Sequence, residues 1–223
     1  MARQLFNFTG GIRRWGWKYN RGFGDCVEAA INDAITAKAT TQFSTWRRVL
    51  FYAGFRRPGD RFTFNEYVDF LATQGETPSA TTGTSVEPYL DYLKAKGHVT
   101  EWARVPLGKD PELAINAAAA QLITAIVTIQ LSPTMYHDFY DKTPWTALDL
   151  LDSPPVNGLV HEVAYVRATA NYDVLATWNQ NKLITPGCLS GVALDAHVFL
   201  CPADTWRPEY PAMMNYLLAL KAS

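Results

Sequence analysis

Asn20-Arg21-Gly22-Phe23-Gly24-Asp25-Cys26-Val27-Glu28-Ala29-Ala30-Ile31-Asn32-Asp33-Ala34-Ile35 is the stretch on which the fold turns. Val27, Ala30, Ile31, Ala34 and Ile35 recur at i, i+3, i+4, i+7 and i+8, which makes one apolar stripe on a helix destined for a core. Asp25 stands where an N-cap belongs and Glu28 follows three residues later, so a capping box predicts a helix that starts at Cys26. A thiol on the first helical turn faces unpaired backbone N–H groups and the positive end of the macrodipole, and both favour the thiolate. Gly22 and Gly24 carry no Cβ and let the approach loop come close to whatever binds there. Asn20 can offer a side-chain N–H to the same spot. A small buried cysteine after an ordinary glycine loop has the same local pattern, so the rest of the chain has to decide.

With 48% hydrophobic residues over 223 positions, the chain can bury a substantial core, and disorder is excluded as a class. Net charge is −1 and Lys and Arg are scattered, which argues against a nucleic-acid groove. The one basic cluster, Arg13, Arg14, Lys18 and Arg21, is interleaved with Trp15, Trp17 and Tyr19 and reads better as a loop packing its aromatics on the body. Cys26, Cys188 and Cys201 stand at no metal-ligand spacing, and the N-terminus has no apolar signal region. The thiols are therefore expected to be reduced, in a cytosolic protein with no secretion signal, no cofactor and no metal. The longest apolar run, Ala117 to Ile129, is broken by Gln121, Thr124 and Thr128, so no membrane partner is expected either.

Met1 to Gly24 lacks a clear period and is expected to be irregular. Helices are predicted over Thr45 to Tyr52, over Phe62 to Gln74 closed by Gly75, from Thr84-Ser85-Val86 to Gly97, and over Glu112 to about Leu122. Ala125 to Leu131, Leu159 to Arg167, Tyr172 to Asn179 and Val192 to Leu200 read as strands. Helices gather first and strands second, the pattern of an α+β protein with an antiparallel sheet, and a two-lobed cleft is the expected outcome. Met135 to Asn157 reads as a long loop that could overhang a site.

His161 heads the strongest strand, with His161, Val163 and Tyr165 alternating onto one face. If the strand from Tyr172 returns antiparallel, its far end, Thr177, Trp178 and Asn179, comes level with His161. A Cys-His pair needs such a third group to fix the imidazole tautomer, and Asn179 is the choice.

The order of Asn20, a helix-start Cys26, a Thr84-Ser85-Val86 helix, His161 and a Trp-Asn strand end resembles the papain-like (C1-type) cysteine peptidase fold. It is most similar to the divergent papain-like proteins of bacteriophages. Gly24-Asp25-Cys26, Gly158-Leu159-Val160-His161-Glu162-Val163 and Thr177-Trp178-Asn179 carry the likeness, which runs from about Asn20 to Leu200. The resemblance implies a single domain over 1–223, with a helical lobe at about 20–122 and a β lobe at about 123–205. It further implies a Cys26 nucleophile, a His161 base, an Asn179 orienting group and an oxyanion site at Asn20, acting on a peptide or protein substrate. The chain departs from the family in three ways. Asn20 is one methylene shorter than the family's glutamine, Asn179 follows Trp178 instead of preceding it, and Asp25 opposes ionisation of its neighbour. Three functions remain open: a peptidase, a catalytically silent papain-fold component of a phage particle in contact with other phage structural proteins, and a transglutaminase-like acyltransferase. In the last, Asp173 and not Asn179 would be the third group.

Overall fold

Residues 160–168 are buried at seven of nine positions, on both faces of the strand, which suits a strand covered on both sides. The computed structural model describes residues 2–9, 12, 15, 24–42, 60–79, 82–177 and 179–223, with side chains for all of these except 42, 60–62 and 140. In it, strand β4 (Val160–Ala168) lies near the middle of one antiparallel sheet. Strand β1 (Phe6–Asn7), β2 (Glu101–Arg104), β3 (Ala125–Gln130), β5 (Asp173–Thr177), β6 (Gln180–Ile184) and β7 (Ala193–Leu200) complete it. The order is β2-β7-β3-β4-β5-β6, and β1 pairs with the end of β4 through Phe6 opposite Ala168 and Asn7 opposite Arg167.

Helix α1 (Cys26–Gln42) lies mainly over β4, and α2 (Asp60–Gln74) and α3 (Val86–Ala95) share its side of the sheet. Their core joins Val27, Ala30, Ile31 and Ala34 of α1 to Ala164 and Val166 of β4 and Ala176 of β5. Small side chains on both partners let the helix approach the strands closely, and burial at roughly 25 cal/mol per Å2 holds it there. The opposite face carries Val163, Tyr165 and Leu175. It is covered by α4 (Pro111–Leu122), α5 (Pro133–His137) and α7 (Pro186–Val192), with α8 (Tyr210–Lys221) packed near β2. Asp110, Ser132 and Thr185 cap α4, α5 and α7, each by accepting a backbone N–H and each followed by proline at the start of its helix.

The α+β class with an antiparallel sheet is what the strand and helix patterns predict. The helices of the first half share a core with the sheet through Ala164, Val166 and Ala176. The expected loop at 135–157 also carries α5, a 3-10 turn at 138–140 and α6 (Ala147–Asp152). The predicted Thr45 to Tyr52 helix lies outside the described residues. Among the described residues no helix is long and apolar enough to cross a membrane.

Candidate functional site

Helix α1 begins at Cys26 as its sequence predicts, with the Ala29 N–H bonded to the Asp25 carbonyl at 3.0 Å. The Glu28 carboxylate accepts the Thr84 hydroxyl at 3.1 Å, tying α1 to the approach of α3. Gly24 is required for a different reason from the one its sequence suggests. A Cβ there would lie 2.2 Å from the Thr82 carbonyl oxygen, so the space it leaves is filled by the chain's own backbone. The Gly24 N–H donates to Ser79 O at 3.0 Å, which locks the same junction.

Alternation along β4 decides what faces the sulfur. Ala164 and Val166 pack under α1, so Glu162 points to that side as well, and Cys26 lies against Glu162. His161, Val163 and Tyr165 point the other way, as their spacing predicts, but that is the face away from α1. His161 is 4% exposed. Its Nε2 lies 2.6 Å from the Thr177 hydroxyl, and its ring stands edge-on to Phe139 with centroids 6.3 Å apart. The structure therefore does not bring the His161 imidazole to the Cys26 thiol: one residue of strand parity separates the expected base from the nucleophile.

At the end of β5 the Thr177 hydroxyl lies within hydrogen-bond distance of the imidazole. The antiparallel return of β5 is present, with Ala164 opposite Ala176 and Ala168 opposite Asp173. Asn179 sits in the turn between β5 and β6 at φ +66°, a left-handed conformation that asparagine tolerates well. Asp173, at the far end of β5, is bonded to Tyr165 and Arg3, so it is no third group for either His161 or Cys26. Asn20 and Trp178 lie outside the described residues.

The electrostatics around Cys26 oppose a thiolate. Burial, followed by the charge of Glu162 and then those of Glu28 and Asp25, pushes the thiol up to about 12, and a backbone hydrogen bond at Glu162 does not offset them. Burial likewise raises Glu28 to about 8 and Glu162 to about 7, the latter despite a hydrogen bond with Thr128. His161 is driven down to about 3 by burial, which leaves a neutral ring.

A polar row continues across the sheet from Glu162. Thr128 on β3 is opposite Glu162, and Asp195 on β7 is opposite Thr128, with Arg104 Nε bonded to Asp195 at 2.8 Å. His197 on β7 approaches Glu87 of α3 at 3.4 Å, and its Nδ1 is buried without a hydrogen-bond partner among the described residues. Beside this row a groove of about 530 Å3 is lined by Trp102, Arg104, Val105, Leu107 and Leu194. Among the described residues no group of three His, Cys, Asp or Glu side chains is arranged to hold a metal ion. Glu162 and the Thr84 contact have no counterpart among the residues singled out from the sequence, whereas Thr177 is one of the three expected level with His161. The signal for Glu162 was in the small residues Ala164 and Ala176, which mark the side of the sheet that a helix can approach.

No protein-family model matches the chain, and no curated protein matches it.

Proposed function

We propose that this chain is a papain-related protein without peptidase turnover, serving as a structural component of a phage particle. The observation that carries the proposal is the pairing of Cys26 with Glu162, on the opposite side of β4 from His161. A carboxyl group beside a partly buried thiol does not do what an imidazole does. It cannot hold a positive charge next to the sulfur, and when ionised it repels the thiolate. An acyl-transfer enzyme needs the reverse: a depressed thiol pKa and a neutral base within hydrogen-bond reach. Support for the phage setting is the sequence resemblance through Gly24-Asp25-Cys26 and the strand beginning at Gly158. The other phage structural proteins are then its partners.

The test is the pH profile of Cys26 alkylation by iodoacetamide, followed by peptide mapping, alongside an assay on unfolded protein substrates. The rate at Cys26 should keep rising with pH through the neutral and mildly alkaline range, and no hydrolysis should be seen. A plateau at Cys26 below neutral pH, or hydrolysis abolished by Cys26→Ala, sinks the proposal and returns the peptidase.

A further inference from the structure

The side chain of Arg3 enters the body of the protein and uses all five of its guanidinium N–H groups. Nε donates to Thr169 O at 3.0 Å, and Nη2 donates to Tyr172 O at 3.2 Å and to Asp173 Oδ1 at 2.5 Å. Nη1 donates to Glu112 Oε1 and, at 3.4 Å, to Asp173 Oδ2. The two carboxylates are nearly sealed from solvent, with side-chain exposures of 4% for Glu112 and 0% for Asp173. They arrive from separate elements, Glu112 from the first turn of α4 and Asp173 from the start of β5, while both carbonyls come from the turn joining β4 to β5.

Two buried carboxylates brought together cannot both stay ionised unless a cation lies between them. The arrangement is also planar and forked: carboxylate oxygens meet one edge of the cation and carbonyls the other. A guanidinium fits it, whereas an ammonium, a point charge with three donors, leaves acceptors unfilled. The shell behind it is set as well. The Tyr165 hydroxyl donates to Asp173 Oδ1 at 2.5 Å, and Asn116 Nδ2 donates to the Tyr165 oxygen at 3.2 Å. Asn116 also clasps the backbone of the next residue, accepting the Gln4 N–H at 2.7 Å and donating to Gln4 O at 2.9 Å.

We propose that Glu112, Asp173 and the carbonyls of Thr169 and Tyr172 form a guanidinium-specific binding site, for which Arg3 is the tethered ligand. The site then adds a side-chain latch to the N-terminal arm, residues 2–9, which is also held by the pairing of β1 with β4 and by Asn116 on Gln4. Emptied of Arg3, the site takes free alkylguanidinium ions.

The experiment uses the full chain carrying Arg3→Ala, with thermal unfolding followed during titration with methylguanidinium or, at equal ionic strength, methylammonium. Methylguanidinium should raise the unfolding midpoint of the variant by a few degrees, saturably and at concentrations too low to denature. Methylammonium should give no more than the salt effect, and the unaltered protein, whose site is filled, should respond to neither. The response should vanish when Asp173→Asn is added to Arg3→Ala. If Arg3→Ala does not fold unaided, its refolding yield in the presence of each cation reads the same difference. Equal effects of the two cations, an equal effect on the unaltered protein, or no effect of methylguanidinium on midpoint or yield overturns the proposal.

Discussion

Residue 162 holds the position beneath the helix-borne sulfur, and a carboxyl there sets the properties of its surroundings. Burial raises Glu162 to about 7, so at alkaline pH its ionisation costs folding free energy and adds negative charge beside Cys26. Replacing it with glutamine keeps the shape and removes the charge. Glu162→Gln is expected to be more stable than the unaltered protein at pH 8, by on the order of 1 kcal/mol, and to alkylate faster at Cys26. Chemical denaturation at pH 5 and pH 8 checks the first part, and a variant destabilised equally at both values contradicts it. Strand parity was legible in the sequence, since His161, Val163 and Tyr165 do share a face. Which face α1 would cover was not, because a histidine and a glutamate at adjacent positions look equally plausible until the small residues beneath the helix are weighed. Ala164 and Ala176, paired across β4 and β5, are those residues.

At the scale of elements, the long helices and the apolar strands announce themselves by period, and β2, β6 and α8 do not. Strand β6, Gln180–Ile184, is mostly polar because it is the outer edge of the sheet, and Glu101–Arg104 is a four-residue edge strand with charged ends. Edges lack the apolar alternation that a buried strand shows. One polar residue of β6 nevertheless reaches inward: Lys182 is 2% exposed. Its Nζ donates to Asp138 O at 2.8 Å and Asp141 O at 2.9 Å and lies 5.0 Å from the centroid of the Trp145 ring. This cation therefore holds the 138–145 connection against the sheet edge. Lys182→Met should leave both carbonyls without their donor and cost about 2 kcal/mol. Limited proteolysis should then cut first within 138–145. A variant as stable and as resistant as the parent shows that the connection is held by other contacts.

Across the whole molecule the buried ionisable groups give stability a defined dependence on pH. Glu28 and Glu162 are raised from 4.5 to about 8 and 7, so the stability they contribute is complete below 4.5 and is lost as pH rises through those values. His161 is lowered from 6.5 to about 3, so its contribution is present above 6.5 and is lost as pH falls towards 3. His197, lowered by burial against the pull of Asp195 and Glu87, acts in the same direction. The two slopes oppose one another between 4.5 and 6.5, the ordinary values of the glutamates and histidines, and the unfolding midpoint is expected to peak there. Above 6.5 the glutamates act alone. A midpoint that is level or rising from pH 6.5 to 8 would mean that these carboxylates are ionised in the folded protein. Burial has a further consequence for the sulfur atoms: Cys26, Cys188 and Cys201 are each pushed up to about 12. At neutral pH roughly one molecule in a hundred thousand then carries a thiolate at any one of them, and it is the thiolate that oxidants attack. Thiols held this way are expected to oxidise slowly in air at neutral pH, so aerated protein should keep all three titratable by a thiol reagent after unfolding.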